Sequence, residues 1–390
     1  MKKLIILLCI FNFSVFSVFS ADIGGFLDQK IEGENNLFTY TPSFTPWFSW
    51  NGSNGSSFYL SALLSLKLSV HSDEAAHDSS FEFIPELMRF AYKYQNTNGI
   101  SIEAGRIAYN DVLGFITSGL FDGFRFKMST VIGTVSAGAY YSGFLYKETA
   151  KIIMTDSDII NYALPWDFSS FGAYFASRRL LASLRLDIPL LRASNLSVEA
   201  LGQFDLNSND DKIHSQYCAL NFDYIPTKRI KFTAGAIFEM IQNEDGVFSG
   251  AFAALAHLKL NLPTAFNDQL GVKILYTSGS INDVWKAFSP VNSIPQGMIF
   301  TGTASGLMAA VLDYQIRIIK PLYADIAFNY YVNTSQWDTY GGELWVSANW
   351  QPFGDFCTAL GVGAFFPGMG NRYEDSDVQW KIKANITFSF

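Results

Sequence analysis

Hydrophobic and polar residues alternate one by one along most of this chain. The pattern is clearest at the end. From Val378 to Phe390, the odd-numbered residues are mostly polar, and the even-numbered ones (Val378, Trp380, Ile382, Ala384, Ile386, Phe388, Phe390) are apolar. A period of two sustained this long predicts a β-strand with one greasy and one wet face. Taken alone, such a strand could edge a soluble sandwich. Similar segments recur back along the chain, separated by turn residues, and none is an 18-residue apolar run of the kind a spanning helix needs.

Counting back from the carboxy terminus, we place strands at 377–390, 354–365, 340–351, 321–333, 301–318, 268–278, 247–261, 229–241, 214–225 and 194–205. Eight more follow at 169–189, 132–147, 121–129, 99–108, 81–94, 57–70, 37–49 and 24–33. Their connections alternate in length. Short ones rich in turn formers, such as Gln351-Pro-Phe-Gly-Asp355 and Gln95-Asn-Thr-Asn-Gly99, alternate with longer loops at 71–80, 109–120, 148–168, 278–301 and 366–376. This is the rhythm of a transmembrane barrel, with short periplasmic turns and long external loops. The predicted fold is therefore all-β: an antiparallel transmembrane β-barrel of 18 strands with both termini periplasmic. Residues 169–189 could be two strands turning at Ser177-Arg178-Arg179, but that would break the parity; the first pair, 24–49, alternates irregularly, which makes sixteen strands the alternative. Closure explains the even count, since an open sheet edge cannot be satisfied in lipid.

Composition agrees. Half the chain is apolar, 36 residues are Phe, and only 16% are charged, against about 25% in a soluble domain. A barrel places such residues in lipid on alternate positions. Met1-Lys-Lys, an apolar stretch Leu4–Phe19 and small residues at Val18-Phe19-Ser20 predict a secretory signal peptide over 1–20, leaving 21–390 as one barrel domain. A lipoprotein site at Cys9 is the weaker alternative, because the residues after it stay apolar. The net charge of −8 and the lack of a basic tract argue against nucleic acid as a partner. Cys218 and Cys357 sit far apart in alternating segments and predict neither a disulfide framework nor a metal site.

Alternation also assigns faces. A charge facing lipid costs about 2–4 kcal/mol at mid-bilayer, so charged residues should face the lumen. The predicted lumen cations include Lys67, Arg89, Lys93, Arg125, Lys127, Arg185, Lys273, Arg317, Lys381 and Lys383. Glu103, Asp187, Glu199, Asp223, Glu239, Asp313, Asp325 and Glu343 oppose them. Such charges either set ion selectivity or pair into a network that satisfies the wall. The loop 278–301, with Trp285, Phe288, two prolines and Met298, is apolar for an external loop, and it either folds inward or forms a loose tip.

The stretch Gly105-Arg106-Ile-Ala-Tyr-Asn-Asp111 through Phe121-Asp122-Gly123-Phe124-Arg125-Phe126 resembles the alginate-export family of outer-membrane porins. In that family a Gly-Arg strand precedes a polar loop and a strand opening Phe-Asp-Gly. The resemblance implies an 18-stranded barrel with a charged lumen that passes anionic polysaccharide. It also implies Arg106 and Arg125 as lumen arginines near the constriction, with Asp122 beside them.

Enzyme signals are weak. His71 and His77 share a loop with Asp73, Glu74 and Asp78, which reads as a solvated loop more readily than a metal site. His257 and Ser249 lie eight residues apart on one strand, too far for a hydrogen bond at about 3.3 Å per residue. Nothing resembles G-x-S-x-G, and no cofactor is predicted. The expected function is a porin passing small hydrophilic or anionic solutes. The alternative is an occluded structural or surface-adhesin barrel whose loops bind partners. The expected partners are outer-membrane lipid, small solutes, and the barrel-assembly machinery through Phe390.

Overall fold

The computed structural model describes residues 20–73, 76–166, 169–190, 193–282, 284–368 and 377–390. The predicted leader lies outside these residues except for Ser20, and so does most of the predicted loop 366–376. Eighteen strands are present: β1 (Ser20–Glu34), β2 (Leu37–Asn51), β3 (Ser56–Asp73), β4 (Ala76–Gln95), β5 (Ile100–Asn110), β6 (Ser118–Ser129), β7 (Thr134–Tyr141), β8 (Arg179–Leu190) and β9 (Ser194–Asp205). The second half comprises β10 (Ile213–Thr227), β11 (Ile230–Asn243), β12 (Phe248–Asn261), β13 (Gln269–Thr277), β14 (Leu307–Ile319), β15 (Leu322–Asn333), β16 (Thr339–Phe353), β17 (Phe356–Pro367) and β18 (Gln379–Ser389).

Each strand pairs antiparallel with its chain neighbours, and β18 pairs with β1 to close the barrel. At the seam the Gly25 N–H donates to the Phe390 carbonyl at 3.0 Å, and the Phe390 N–H returns the bond to Gly25 at 3.1 Å. The Phe390 ring stacks on Phe44 of β2, with centroids 6.2 Å apart. Closure leaves no edge, which is the condition for a sheet in lipid.

The outer surface is the predicted greasy face. Leu60, Leu64, Leu66 and Leu68 of β3, Phe124 and Met128 of β6, and Trp380, Ile382, Ile386 and Phe388 of β18 all project from it. All 18 predicted strands exist, but several bounds change. Of the predicted loop 71–80, residues 71–73 and 76–80 continue β3 and β4 as a ladder to Asp73↔Ala76. The strand predicted at 169–189 starts only at Arg179, whose fully buried side chain is committed to two carboxylates. The aromatic run before it forms a 3₁₀ turn, Phe171–Tyr174. β7 stops at Tyr141, and β14 starts after a turn at Gly306, which has a left-handed φ of 58°.

The connections sort into a short-turn end and a long-loop end. The two longest connections at the loop end, 142–178 and 278–306, carry little regular structure. The first holds helices α1 (Lys147–Ala150) and α2 (Asp156–Ala163). Both pack inside the barrel. The main apolar core is the set of contacts they make with inward wall residues at that end.

Candidate constriction and lumen

The site begins where one hairpin leaves the wall. The β4–β5 ladder stops at Phe90↔Arg106 and the β6–β7 ladder at Asp122↔Tyr141. Yet β5 and β6 stay paired with each other up to Asn110↔Ser118. Residues 106–122 thus form a hairpin that has lost both lateral neighbours and turns into the lumen. Two glycines meet at the bend, Gly105↔Gly123. Gly105 has a φ of 114°, and a Cβ there would collide with the Phe90 carbonyl oxygen; a Cβ on Gly123 would meet that of Ala139. Only glycine fits such a bend without strain.

Arg106 fastens the base of this hairpin. Its Nε and Nη2 donate to the two carboxylate oxygens of Asp122 at 2.9 and 2.8 Å, its Nη1 donates to the Leu87 carbonyl at 2.5 Å, and its Nη2 also donates to that of Phe144 at 2.9 Å. The guanidinium is 6% exposed, and the fork geometry is the strong bidentate kind. Arg106 shares the parity of Ile102 and Ala104, and Asp122 that of Phe124 and Phe126. Both therefore point away from the face carrying Glu103 and Arg125. The lumen role implied by the family resemblance does not fit Arg106 and Asp122, which are spent on holding the fold. Above Phe90 the freed side of β4 carries Pro85, a residue suited to an edge because it has no N–H to leave unpaired. The Tyr174 hydroxyl donates to the Pro85 carbonyl at 2.7 Å, and Tyr146 and Tyr174 pack on Ile84. The segment 142–178 thus fills the place the hairpin vacated.

Three inward segments meet over the lumen: the hairpin tip 111–117, 142–178 and 278–306. In the tip, Asp111 accepts four backbone N–H bonds, from Leu113, Gly114, Ile116 and Thr117, at 2.8–3.0 Å. Burial nevertheless pushes the Asp111 carboxyl above its usual range, against the pull of those bonds. Asn292 ties the segments together. Its Oδ1 accepts from the Thr117 hydroxyl at 2.5 Å and from the Ser118 N–H at 3.0 Å, and its Nδ2 donates to the Ala150 carbonyl at 2.5 Å.

Wall carboxylates then clamp the segments to the barrel. Glu199 of β9 accepts from the Val112 N–H at 2.7 Å and the Tyr109 hydroxyl at 2.8 Å. Glu239 of β11 accepts from the Ser289 N–H at 2.8 Å. Glu343 of β16, fully buried, accepts from the N–H groups of Met298, Ile299 and Phe300 at 2.9, 3.0 and 2.8 Å. Arg179 joins Asp158 of α2 at 2.5 Å to Asp205 of β9 at 2.6 Å, with all three side chains buried. Around these bonds the packing is apolar: Phe115 meets Phe288 edge-on, and Phe300 stacks on Tyr331 at 4.1 Å.

The remaining predicted charges lie elsewhere on the wall. Glu103 holds both Arg89, at 3.5 Å, and Arg125. Lys93 stands opposite Glu103 in the ladder. Arg185 pairs with Asp187 at 2.9 Å. Arg125, Lys127, Arg185 and Asp187 line a 140 Å³ cavity together with Tyr109 and Tyr140. Lys67 reaches Glu148 of α1 at 3.8 Å. Lys273 stands opposite His257, and Asp313 lies over Gly271. The Arg317 guanidinium sits 5.5 Å from the Tyr323 ring centroid. Lys381 pairs with Glu34 at 2.9 Å and Lys383 with Glu32 at 3.9 Å. Most of the predicted cations are thus matched by a carboxylate. Sequence reasoning put Glu199, Glu239 and Glu343 on the inner face but did not reveal that loops would cover them. Asn292 and Arg179 carried no periodic signal.

No protein-family model and no curated protein sequence matches the chain. Solved structures do. Over 95% of this chain and 91% of that one, the barrel is similar to OccD3 (OpdP) of Pseudomonas aeruginosa, with a TM-score of 0.61 and 11% identity. It is similar to OpdK of the same organism, crystallised with vanillate, with a TM-score of 0.60 and 10% identity over 95% and 98% of the two chains. It is also similar to the Pseudomonas aeruginosa outer membrane protein OprD, with a TM-score of 0.58 and 10% identity over 95% and 93%. At this identity the likeness speaks for the fold. The chain shares with these structures the fold of a closed 18-stranded antiparallel β-barrel, and these matches carry nothing specific to alginate export.

Proposed function

We propose that this protein is an outer-membrane porin, a channel rather than an enzyme, that passes small hydrophilic solutes through a loop-narrowed lumen. One observation carries the reading: the barrel is greasy outside and polar inside at its short-turn end, and three inward segments narrow it only towards its loop end. A purely structural barrel has no need to keep so many charged and hydroxyl side chains along its inner wall. The three proteins it resembles in fold come from the outer membrane of one bacterium or bear related names, and the structure with vanillate shows that one of them meets a small carboxylate. Swelling of liposomes holding the refolded protein, in isosmotic solutions of small solutes, tests the reading; liposomes that swell no faster than protein-free ones would sink it.

The charge pairing argues against strong anion preference and against a polyanion path. Arg125, Lys127 and Arg185 form a dense cation group, and Glu103 and Asp187 offset it. Both termini belong on the periplasmic side in this reading, with Phe390 as the handle for assembly. Deleting Phe390 removes two seam hydrogen bonds and the stack on Phe44, so membrane insertion in cells should fall; wild-type levels in the membrane fraction would count against that role. The second reading, an occluded surface barrel, draws on how tightly the three segments are clamped.

A further inference from the structure

The plug is one-sided. Among the described residues, buried inward side chains occur on β3 through β17, from Ser61 and Ser65 round to Trp345 and Phe365. None occurs on β18, β1 or β2, whose inward residues are half-buried or more open. At the loop end β1 and β2 are joined by Asn35 and Asn36 alone.

This open arc has its own chemistry. The inner face of β2 carries Thr39, Thr41, Ser43, Thr45 and Ser49. On β1 and β18 most inward charges are paired: Lys30, Lys381 and Lys383 face Asp28, Glu32 and Glu34, and Asp22 adds one carboxylate at the short-turn end. Lys381 pairs with Glu34 and Lys383 with Glu32, Lys30 holds Glu32 at 2.7 Å, and the Thr387 hydroxyl donates to Asp28 at 2.6 Å. Inward-facing Trp47 stacks on Tyr59, with centroids 6.3 Å apart and planes at 13°.

We propose that solutes cross this barrel eccentrically, along β18, β1 and β2, and that this face selects neutral polyhydroxylated solutes of the sugar type. The proposal rests on the porin reading and names its solute class. Hydroxyl side chains donate and accept, so a row of them can exchange hydrogen bonds with successive solute hydroxyls. The Arg89 guanidinium lies over the Tyr59 ring, 5.5 Å from its centroid, so it is the flat face of Trp47 that matches the C–H face of a sugar ring. Charges that are mostly paired leave little local field to enrich one sign of ion. The cation cluster on β6 and β8 lies on the covered side, away from this route.

The test is liposome swelling with glucose and with a monocarboxylate of similar size, for the wild type, Ser43→Trp and Ser136→Trp. Ser136 lines the 140 Å³ cavity beneath the hairpin. Heat-modifiable migration on gels verifies that each variant is folded. The expected result is faster entry of glucose than of the carboxylate, a several-fold loss for Ser43→Trp and none for Ser136→Trp. Loss through Ser136→Trp alone, or faster entry of the carboxylate, overturns the proposal while leaving a porin. No swelling with either solute overturns the porin reading itself.

Discussion

Two arcs of one barrel wall behave differently. From β3 to β17 the upper inner wall is covered: apolar side chains meet apolar loops, and the buried carboxylates of Glu199, Glu239 and Glu343 accept loop N–H groups. From β18 to β2 the same wall is a wet surface of hydroxyls and mutually paired charges. The strands alternate alike on both arcs, so the difference does not come from the pattern of the sheet. It comes from where the chain sends its long connections. The lesson is that an inward charge is not thereby a lumen charge. Glu343 and Lys381 both face inward, yet one holds a loop and the other faces solvent at the rim.

This contrast can be broken from its hinge outward. Gly105→Val should have the largest effect. Its side chain would strike the Phe90 carbonyl in a backbone conformation closed to β-branched residues. The folded, heat-modifiable form should be largely lost, and a wild-type yield would show that the hairpin does not need the bend. Glu343→Ala comes next. Hydrogen bonds to a charged group contribute about 1.5–3 kcal/mol each, and three backbone donors would lose theirs at once. The barrel should still form, but with noisier, larger conductance and new protease cleavage near 298–300. Unchanged current and protection would free that carboxylate from its clamping role. Asn292→Ala should loosen the three-segment node by about 1–3 kcal/mol, the cost of buried donors and acceptors left unmet, seen as faster amide exchange around Thr117 and Ser118. The smallest effect belongs to the open arc. Lys381→Ala removes a partly exposed pair worth about 0–1 kcal/mol, so thermal stability should barely move; a large drop would mean that this arc is also a core.

Much of the fold was legible because a barrel repeats one physical rule along the chain. A residue faces lipid or it does not, and a slip of one position would turn every Leu of β3 inward. That rule, with alternating turn lengths, located all 18 strands. It failed at 169–178, where Phe171, Tyr174 and Phe175 pack on one another as a turn, and at 71–73 and 76–80, where polar residues continue a hairpin instead of ending it. The site was less legible, since covering a wall residue depends on contacts remote in sequence, such as Thr117 with Asn292. One part was readable. Counting from Glu103 puts Arg106 on the opposite face, and counting from Arg125 does the same for Asp122, so alternation itself ran against the lumen role that the family resemblance suggested.

The most direct test of the central claim, that the one-sided plug leaves a water-filled path, is single-channel conductance of the refolded barrel in a planar bilayer under a salt gradient. The account predicts steady openings with a reversal potential close to zero, as a charge-balanced path requires. A barrel that inserts but stays silent would contradict it and mean that the three segments close the lumen. A strongly anion-selective current would instead move the path to the Arg125, Lys127 and Arg185 side.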